Sequence, residues 1–247
     1  MNSLPRAAQR PTDSMRPVTF ETKFYPYAEG SCMVSFGGTQ VLCVATIEDN
    51  VPPHLRGKGK GWVTGEYSML PRSSPDRIKR ERDKIGGRTH EIQRLIGRAL
   101  RSVVNMDGWG ERTIIVDCDV IRADGGTRTA SLTGAFVALV HAFREMKLKK
   151  RLPESLPFPV KDYLSAISVG VVKGIPVLDL DYIEDSSADT DMNLVMTGTK
   201  QIVEIQGTAE KEPFSKETFD SLLGLASSGC ESLCLMQRQI LGPLDWK

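Results

Sequence analysis

The sequence has no apolar run approaching the ~20 residues that a membrane-spanning helix needs. Its first residues, MNSLPRAAQRPTDSM, contain no apolar stretch of the secretory type, so a reducing, cytoplasmic setting is the expectation. Cysteine is scarce and odd in number: Cys32, Cys43, Cys118, Cys230 and Cys234, with no CxxC among them. That argues against a disulfide framework and against a thiolate zinc site. Cys32 and Cys43 could face each other across a hairpin, but reduced thiols packed as small apolar residues are expected. The three histidines, His54, His90 and His141, fall in no HExxH, and neither a GxSxG elbow nor a GxxxxGK[ST] loop occurs. Activated serine, zinc-hydrolase and Walker-type chemistry therefore have no sequence support.

What is present is an ordinary globular composition, 40% hydrophobic and 26% charged over 247 residues, enough chain for a substantial core. A net charge of +1 conceals two opposed segments. Pro71 to Arg101 holds ten Lys/Arg against four Asp/Glu, whereas Asp179 to Asp220 holds three against eleven. Such runs are often solvated faces; a basic one also suits a polyanionic partner.

The periodicities alternate between strand and helix. SCMVSF and TQVLCVATI flank Gly37-Gly38 as a hairpin would, and WVTGEYSML reads as a further strand. The stretch 72–87 reads as a charged connection with a helical piece. From 88 to 104, Ile92, Leu95, Ile96, Ala99, Leu100 and Val103 recur at helical spacing, with Arg94, Arg98 and Arg101 on the outer face. TIIVDCDVI alternates as a strand, with Asp117 and Asp119 opposite its apolar face. An apolar stripe predicts a second helix over 128–147. After RLPESLPFPV, with three prolines in ten residues, the pattern partly restarts: two hairpins, then a helix capped by Ser215. The expectation is an α+β fold of mixed sheets with packed helices. It divides into a flexible leader at 1–15, one domain at 16–240 of two similar halves (about 16–150 and 160–240), and a tail at 241–247.

Three stretches carry chemistry. ADGGTRTAS, 123–131, follows a strand and precedes a helix. Its glycines permit a tight turn, the helix start offers unpaired N–H groups, and Thr127, Arg128 and Thr129 add donors. It reads either as an anion cradle or as a glycine turn whose threonines cap the helix. GGRTHEIQR, 86–94, also sets two glycines before a helix, with Arg88 in the first turn; Arg88 is an anion ligand or simply solvated. LDLDYIEDSSADTDMN, 178–193, clusters carboxylates. Asp185 and Asp191 lie six apart, and Asp179 and Asp181 share a strand face. The cluster reads as a hard-cation site, as an acid/base pair, or as an acidic surface loop.

RPVTF, YAEGSCMVSFGGTQVLCVATIED, GWVTGEYSMLPRS, GGRTHEIQRLIGRALRSVV, DCDVIRADGGTRTASLTGA, EDSSADTDMN and VEIQGTAE, taken in order, resemble the bacterial ribonuclease PH family from about Arg16 to residue 240. The resemblance implies a duplicated βαβα-type core, related to ribosomal protein S5 domain 2. It implies a phosphate-dependent 3′-to-5′ exoribonuclease and nucleotidyltransferase. The substrates would be tRNA precursors and other RNA 3′ ends, including rRNA, and inorganic phosphate would be co-substrate. It further implies Mg²⁺ dependence and a homohexameric ring, a trimer of dimers. Carried over by position, Arg88, Gly126, Thr127 and Arg128 would bind phosphate. Asp185 and Asp191 would bind the metal, with Asp191 alternatively protonating the leaving 3′-oxygen. Arg128, Asp185 and Asp191 would be the catalytic set. Arg94 would meet RNA phosphate, and Arg72, Arg77 and Arg80 would serve ring assembly and the approach of RNA. A silent RNA-binding ring subunit, a hydrolytic metal-dependent nuclease and a small-molecule phosphate transferase are the rival expectations.

Overall fold

The computed structural model describes Arg6 and residues 9–22, 25–81 and 84–246. In the first half, β1 (Val18–Thr22), β2 (Gly30–Phe36), β3 (Thr39–Glu48), β4 (Trp62–Met69) and β5 (Thr113–Arg122) form one sheet in the order β1-β2-β3-β5-β4. All pairings are antiparallel except the parallel pair β4–β5. α1 (Gly87–Ser102) connects β4 to β5, and α2 (Thr127–Leu148) follows β5. The second half contributes β6 (Leu164–Val172), β7 (Ile175–Leu178), the short α3 (Tyr182–Ser187), β8 (Thr190–Thr197), β9 (Ile202–Ala209) and α4 (Lys216–Leu241). Its sheet is antiparallel throughout, in the order β7-β6-β8-β9.

The local signals explain most of these elements. Gly37 turns the β2–β3 hairpin at φ 53°, a region open to glycine at little cost. The alternation in β5 buries Ile114, Val116, Cys118 and Val120 and leaves Asp117 and Asp119 on the other face. Ser215 caps α4 by accepting from the Thr218 N–H. Cys32, Cys43 and Cys118 lie side by side on three neighbouring strands, all reduced and buried. Burial pushes the Cys32 thiol up to about 12, which keeps it protonated and inert.

Helix α2 departs from its expected single stripe. It lies between the two sheets, so both of its faces are covered and Ala130 through Val140 are buried without interruption. Thr133 marks the seam: its hydroxyl accepts from the Ala166 N–H at 3.0 Å, and Gln237 of α4 donates to the Thr133 and Leu164 carbonyls. Phe136, Leu132 and Leu139 complete a core continuous across both halves.

Four expectations need correction. No helix forms among the described residues of 72–86; the stretch carries Pro75 and has no apolar stripe to bury. Arg101 is not on the outer face with Arg98. It donates to the Val63 carbonyl at 2.9 Å, and its guanidinium lies 4.3 Å over the Trp62 ring. Asp179 and Asp181 share no strand face, because β7 ends at Leu178. Asp179 adopts φ 56°, and Asp181 caps α3, accepting from the Glu184 N–H while Glu184 reaches back to the Asp181 N–H. Finally, the described part of the leader is not loose. Arg6 and Arg10 are held by the buried Glu184 of the second half, and Arg16, just beyond the leader, by the buried Asp179. The tail likewise packs back, with Arg144 donating to the Leu241 and Pro243 carbonyls and Trp246 to the Leu156 carbonyl.

Candidate active site

The carboxyl end of β5 runs into Gly125 and Gly126, at φ 73° and φ 65°. A Cβ at Gly125 would sit 2.5 Å from the Leu180 carbonyl oxygen and 2.6 Å from the Asp181 carbonyl carbon. The loop therefore abuts the backbone of the acidic segment, and only glycine fits there. Gly125→Ala is expected to lower unfolding stability by ~1–3 kcal/mol, read as a drop in denaturant midpoint at constant m-value. An unchanged midpoint would mean that the two segments separate freely.

Gly126 is the N-cap of α2, and no side chain caps that helix. The Thr127 hydroxyl is engaged by the buried Tyr67 hydroxyl at 2.9 Å, and the Thr129 hydroxyl donates to the Gly126 carbonyl. The threonines thus leave the first N–H groups to an outside acceptor, which favours the anion cradle over the capped turn. α1 begins the same way, at Gly86 with no side-chain cap, and presents Arg88 in its first turn.

Arg128, half-buried, donates to the Gln206 side-chain oxygen at 3.1 Å and lies 3.7 Å from Glu91. Gln206 donates in turn to Glu91 and Glu204, and Arg98 pairs with Glu204 at 2.8 Å. These bonds tie α1, α2 and β9 together around the cradle.

The carboxylates face it. Asp185 lies on α3, exposed to solvent, and Asp191 lies near the start of β8 opposite Gly170 and Thr208. Desolvation pushes the Asp185 carboxyl up, with Arg88 and Arg128 pulling it back and Glu210 adding to the rise. Desolvation also pushes Asp191 up, reinforced by Asp185 and Glu210 and opposed by Arg128. Burial raises the Tyr67 phenol too, while Thr127, Arg88 and Arg128 oppose it. Arg128 acts on all three groups and Arg88 on Asp185 and Tyr67, so the two helix starts and the two carboxylates lie within electrostatic reach of one another.

Of the expected residues, Arg88, Gly126, Thr127, Arg128, Asp185 and Asp191 are brought together. Arg94, Arg72, Arg77 and Arg80 are exposed. Arg72 adjoins the cradle through its neighbour Ser73, whose carbonyl accepts from the Ala123 N–H. Arg80 lies close enough to Asp119 to oppose the rise that desolvation causes in its carboxyl. Sequence reasoning missed Tyr67, Gln206 and Glu210. Tyr67 sits at a buried alternate position of β4 and reads locally as core, and the other two lie in VEIQGTAE, a stretch that carries the family resemblance but whose residue pattern points to no chemistry of its own.

Similarity to known proteins agrees with this arrangement. Residues 14–145 match the 3′ exoribonuclease family, domain 1, and residues 162–229 match the same family's domain 2. The chain belongs to the 3′ exoribonuclease family. It is 54% identical over 238 residues to the ribonuclease PH of Methylobacterium radiotolerans, covering 96% of this chain and 99% of that protein. It is 56% identical to the ribonuclease PH of Methylorubrum populi over the same shares. Among solved structures it resembles rice (Oryza sativa) Rrp46, with TM-score 0.76, 19% identity, and coverage of 96% of this chain and all of that one. An Archaeoglobus fulgidus exosome with RNA bound to the active site gives TM-score 0.77 at 21% identity, covering 92% of this chain and 91% of that chain. At those identities the likeness is one of fold.

Proposed function

We propose that the chain is a phosphorolytic 3′-to-5′ exoribonuclease acting on the 3′ ends of tRNA precursors and other RNAs. The observation that carries this reading is an uncapped, arginine-flanked glycine loop facing a carboxylate pair. Hydrolysis by a metal-bound water would use the carboxylates and leave Arg88 and Arg128 without a role. Inorganic phosphate uses both halves.

In this reading Arg88, Arg128, the Thr127 hydroxyl and the N–H groups beyond Gly126 hold phosphate and set one of its oxygens in line with the terminal phosphodiester. That oxygen bonds to phosphorus, and the P–O3′ bond breaks. The terminal nucleotide leaves as a nucleoside diphosphate, and the shortened RNA's 3′-oxygen takes a proton. The reverse reaction adds nucleotides from diphosphates. The donor set suits Mg²⁺, which binds through one or two carboxylates and completes its shell with water and substrate phosphates. Desolvation raises Asp191 most, and the charges of Asp185 and Glu210 add to the rise; that added repulsion is what a cation would relieve. Asp185 and Asp191 would hold it, and when bound it would neutralise charge developing on the phosphate oxygens. Asp191, with its raised pKa, is alternatively the proton donor to the 3′-oxygen.

Arg94, Arg72, Arg77 and Arg80 form the exposed approach for RNA. The assembly is a hexameric ring, a trimer of dimers, in the cytoplasm. Among the described residues no helix is long and apolar enough to cross a membrane.

The test is a product assay with Mg²⁺ and a tRNA extended at its 3′ end, with and without inorganic phosphate. Nucleoside diphosphates released only with phosphate support the reading. Monophosphates released without it would establish hydrolysis instead. RNA binding with no product would favour a silent ring subunit.

A further inference from the structure

The N-terminal segment enters the seam between the glycine loop and the acidic segment. Arg16 precedes β1, and its guanidinium is nearly fully buried. On one side, Arg16 Nε and Nη2 donate to the two oxygens of Asp179 at 2.9 and 2.7 Å, and the Arg16 backbone N–H donates to the same carboxylate at 2.8 Å. On the other side, Nη1 donates to the Asp124 carbonyl and Nη2 to the Gly125 carbonyl at 3.4 Å. One planar fork therefore holds the backbone of the anion loop and the side chain of a residue 163 positions away.

Asp179 is 0% exposed and held at φ 56° immediately after β7. Its N–H is fixed by the Ser168 carbonyl at 2.7 Å. Arg6 and Arg10 secure the same segment further along. Arg6 donates to Glu184 at 2.6 Å, and Arg10 donates to the Asp179 carbonyl at 2.9 Å and to Glu184 at 3.1 Å. Glu184 directly precedes Asp185. From its own half, the loop is also gripped by Thr39, whose hydroxyl donates to the Gly125 carbonyl at 2.6 Å. The acidic segment is thus fixed to β6 and the loop to β3, and Arg16 bonds both.

Building three arginines and two carboxylates into a seam is poor economy for stability alone, because desolvating ions offsets much of what their pairing contributes. It does impose one geometry. We propose that Arg16 is a positioning residue that sets the distance between the phosphate-binding loop and the segment carrying Asp185, and so the gap in which phosphate meets the RNA terminus. The inference rests on the phosphorolytic reading given above. Every hydrogen bond of the Arg16 guanidinium goes to Asp124, Gly125 or Asp179, and it acts through them.

The test compares wild type, Arg16→Lys and Arg10→Gln by phosphate titration of nucleoside diphosphate release, RNA affinity and thermal midpoint. Lysine keeps the charge and loses the fork, so it cannot hold both partners. Arg16→Lys is expected to raise the KM for phosphate about tenfold and to lower kcat, with RNA affinity unchanged. Arg10→Gln, which keeps the loop contacts of Arg16 intact, lowers the thermal midpoint and leaves the phosphate KM at the wild-type value. If Arg16→Lys does not fold, Asp179→Asn carries the same test, since it keeps the shape, removes the charge and loses the acceptor for Nη2. A wild-type phosphate KM in whichever of these two variants folds would overturn the proposal. So would equal shifts in phosphate KM for Arg16→Lys and Arg10→Gln, which would reduce the cluster to a structural staple. Those outcomes leave the phosphorolytic reading standing. A wild-type protein that makes no phosphate-dependent product would remove both.

Discussion

Asp185→Asn is expected to lower phosphorolytic kcat by ~10²–10⁴-fold while RNA affinity stays within about twofold of wild type. The amide has the shape of the carboxylate, so what is lost is charge. The α3 capping box uses Asp181 and Glu184, and the Asp185 N–H, which donates to the Asp181 carbonyl at 2.8 Å, survives the change. The local fold therefore gives no reason for failure. RNA affinity rests on cations contacting phosphates, and Asp185 is not one of them. The stability prediction has the opposite sign to the activity prediction. Desolvation raises the Asp185 carboxyl in the folded protein despite Arg88 and Arg128. A carboxyl raised on folding contributes stability below its unfolded pKa of about 3.9, and that contribution is lost as pH rises through the folded value. At neutral pH the ionised group weighs slightly against the fold, the effect being small because Asp185 is exposed to solvent. Asn removes that burden, so the variant should unfold at a temperature no lower than wild type. Diphosphate release, fluorescence anisotropy with labelled RNA and a thermal melt read the three quantities. Wild-type turnover would take Asp185 out of the site, and a lower melting temperature would mean that its charge is structurally used.

How far the sequence reveals such a site depends on how local the determining forces are. The β2–β3 hairpin, the periodicity of α1 and the Ser215 cap are settled within a few residues by turn geometry, helical spacing and one hydrogen bond, and all are legible. The glycine loop is legible for the same reason: glycines, hydroxyls and an arginine follow one another at a strand end. The other half is less so. Asp179 reads as part of a strand pattern, yet its backbone leaves the strand because Arg16, far away in sequence, supplies the charge that lets its carboxylate be buried. Nothing near Arg16 signals that partnership, so the leader looks loose. Helix α2 shows the same limit. Its stripe is visible, but only the docking of a second sheet explains why its other face is also apolar. The convergence of Arg88 with Asp185 is a product of topology, and here the resemblance to a family supplied what periodicity could not.

Arg128→Ala should act on the opposite substrate. The expected loss is ~10²–10³-fold in kcat/KM for phosphate, carried mainly by a higher KM, with RNA affinity nearly unchanged. Arg128 lies in the first turn of α2, where the helix N-terminus already favours an anion, and its fork adds directed donors to that field. Its bond to Gln206 fixes the direction of the fork at no cost to the charge, because Gln206 is neutral. The nearby Glu91 is more exposed and, at 3.7 Å, neutralises it only in part. Arg128→Lys separates the two contributions. Charge alone should recover part of the loss, and whatever lysine does not recover belongs to the planar geometry. A second effect follows from the carboxylates. Arg128 opposes the rise of both Asp185 and Asp191, so its removal lets both hold their protons to higher pH. The pH–rate profile of Arg128→Ala, measured at saturating phosphate, should therefore shift upward along the pH axis at its carboxylate-dependent limb. A neutral substitution remote from the site would not move that limb. If RNA affinity falls as far as phosphate affinity does, Arg128 belongs with Arg94 on the RNA approach, and the cradle would rest on Arg88 and the helix N–H groups alone.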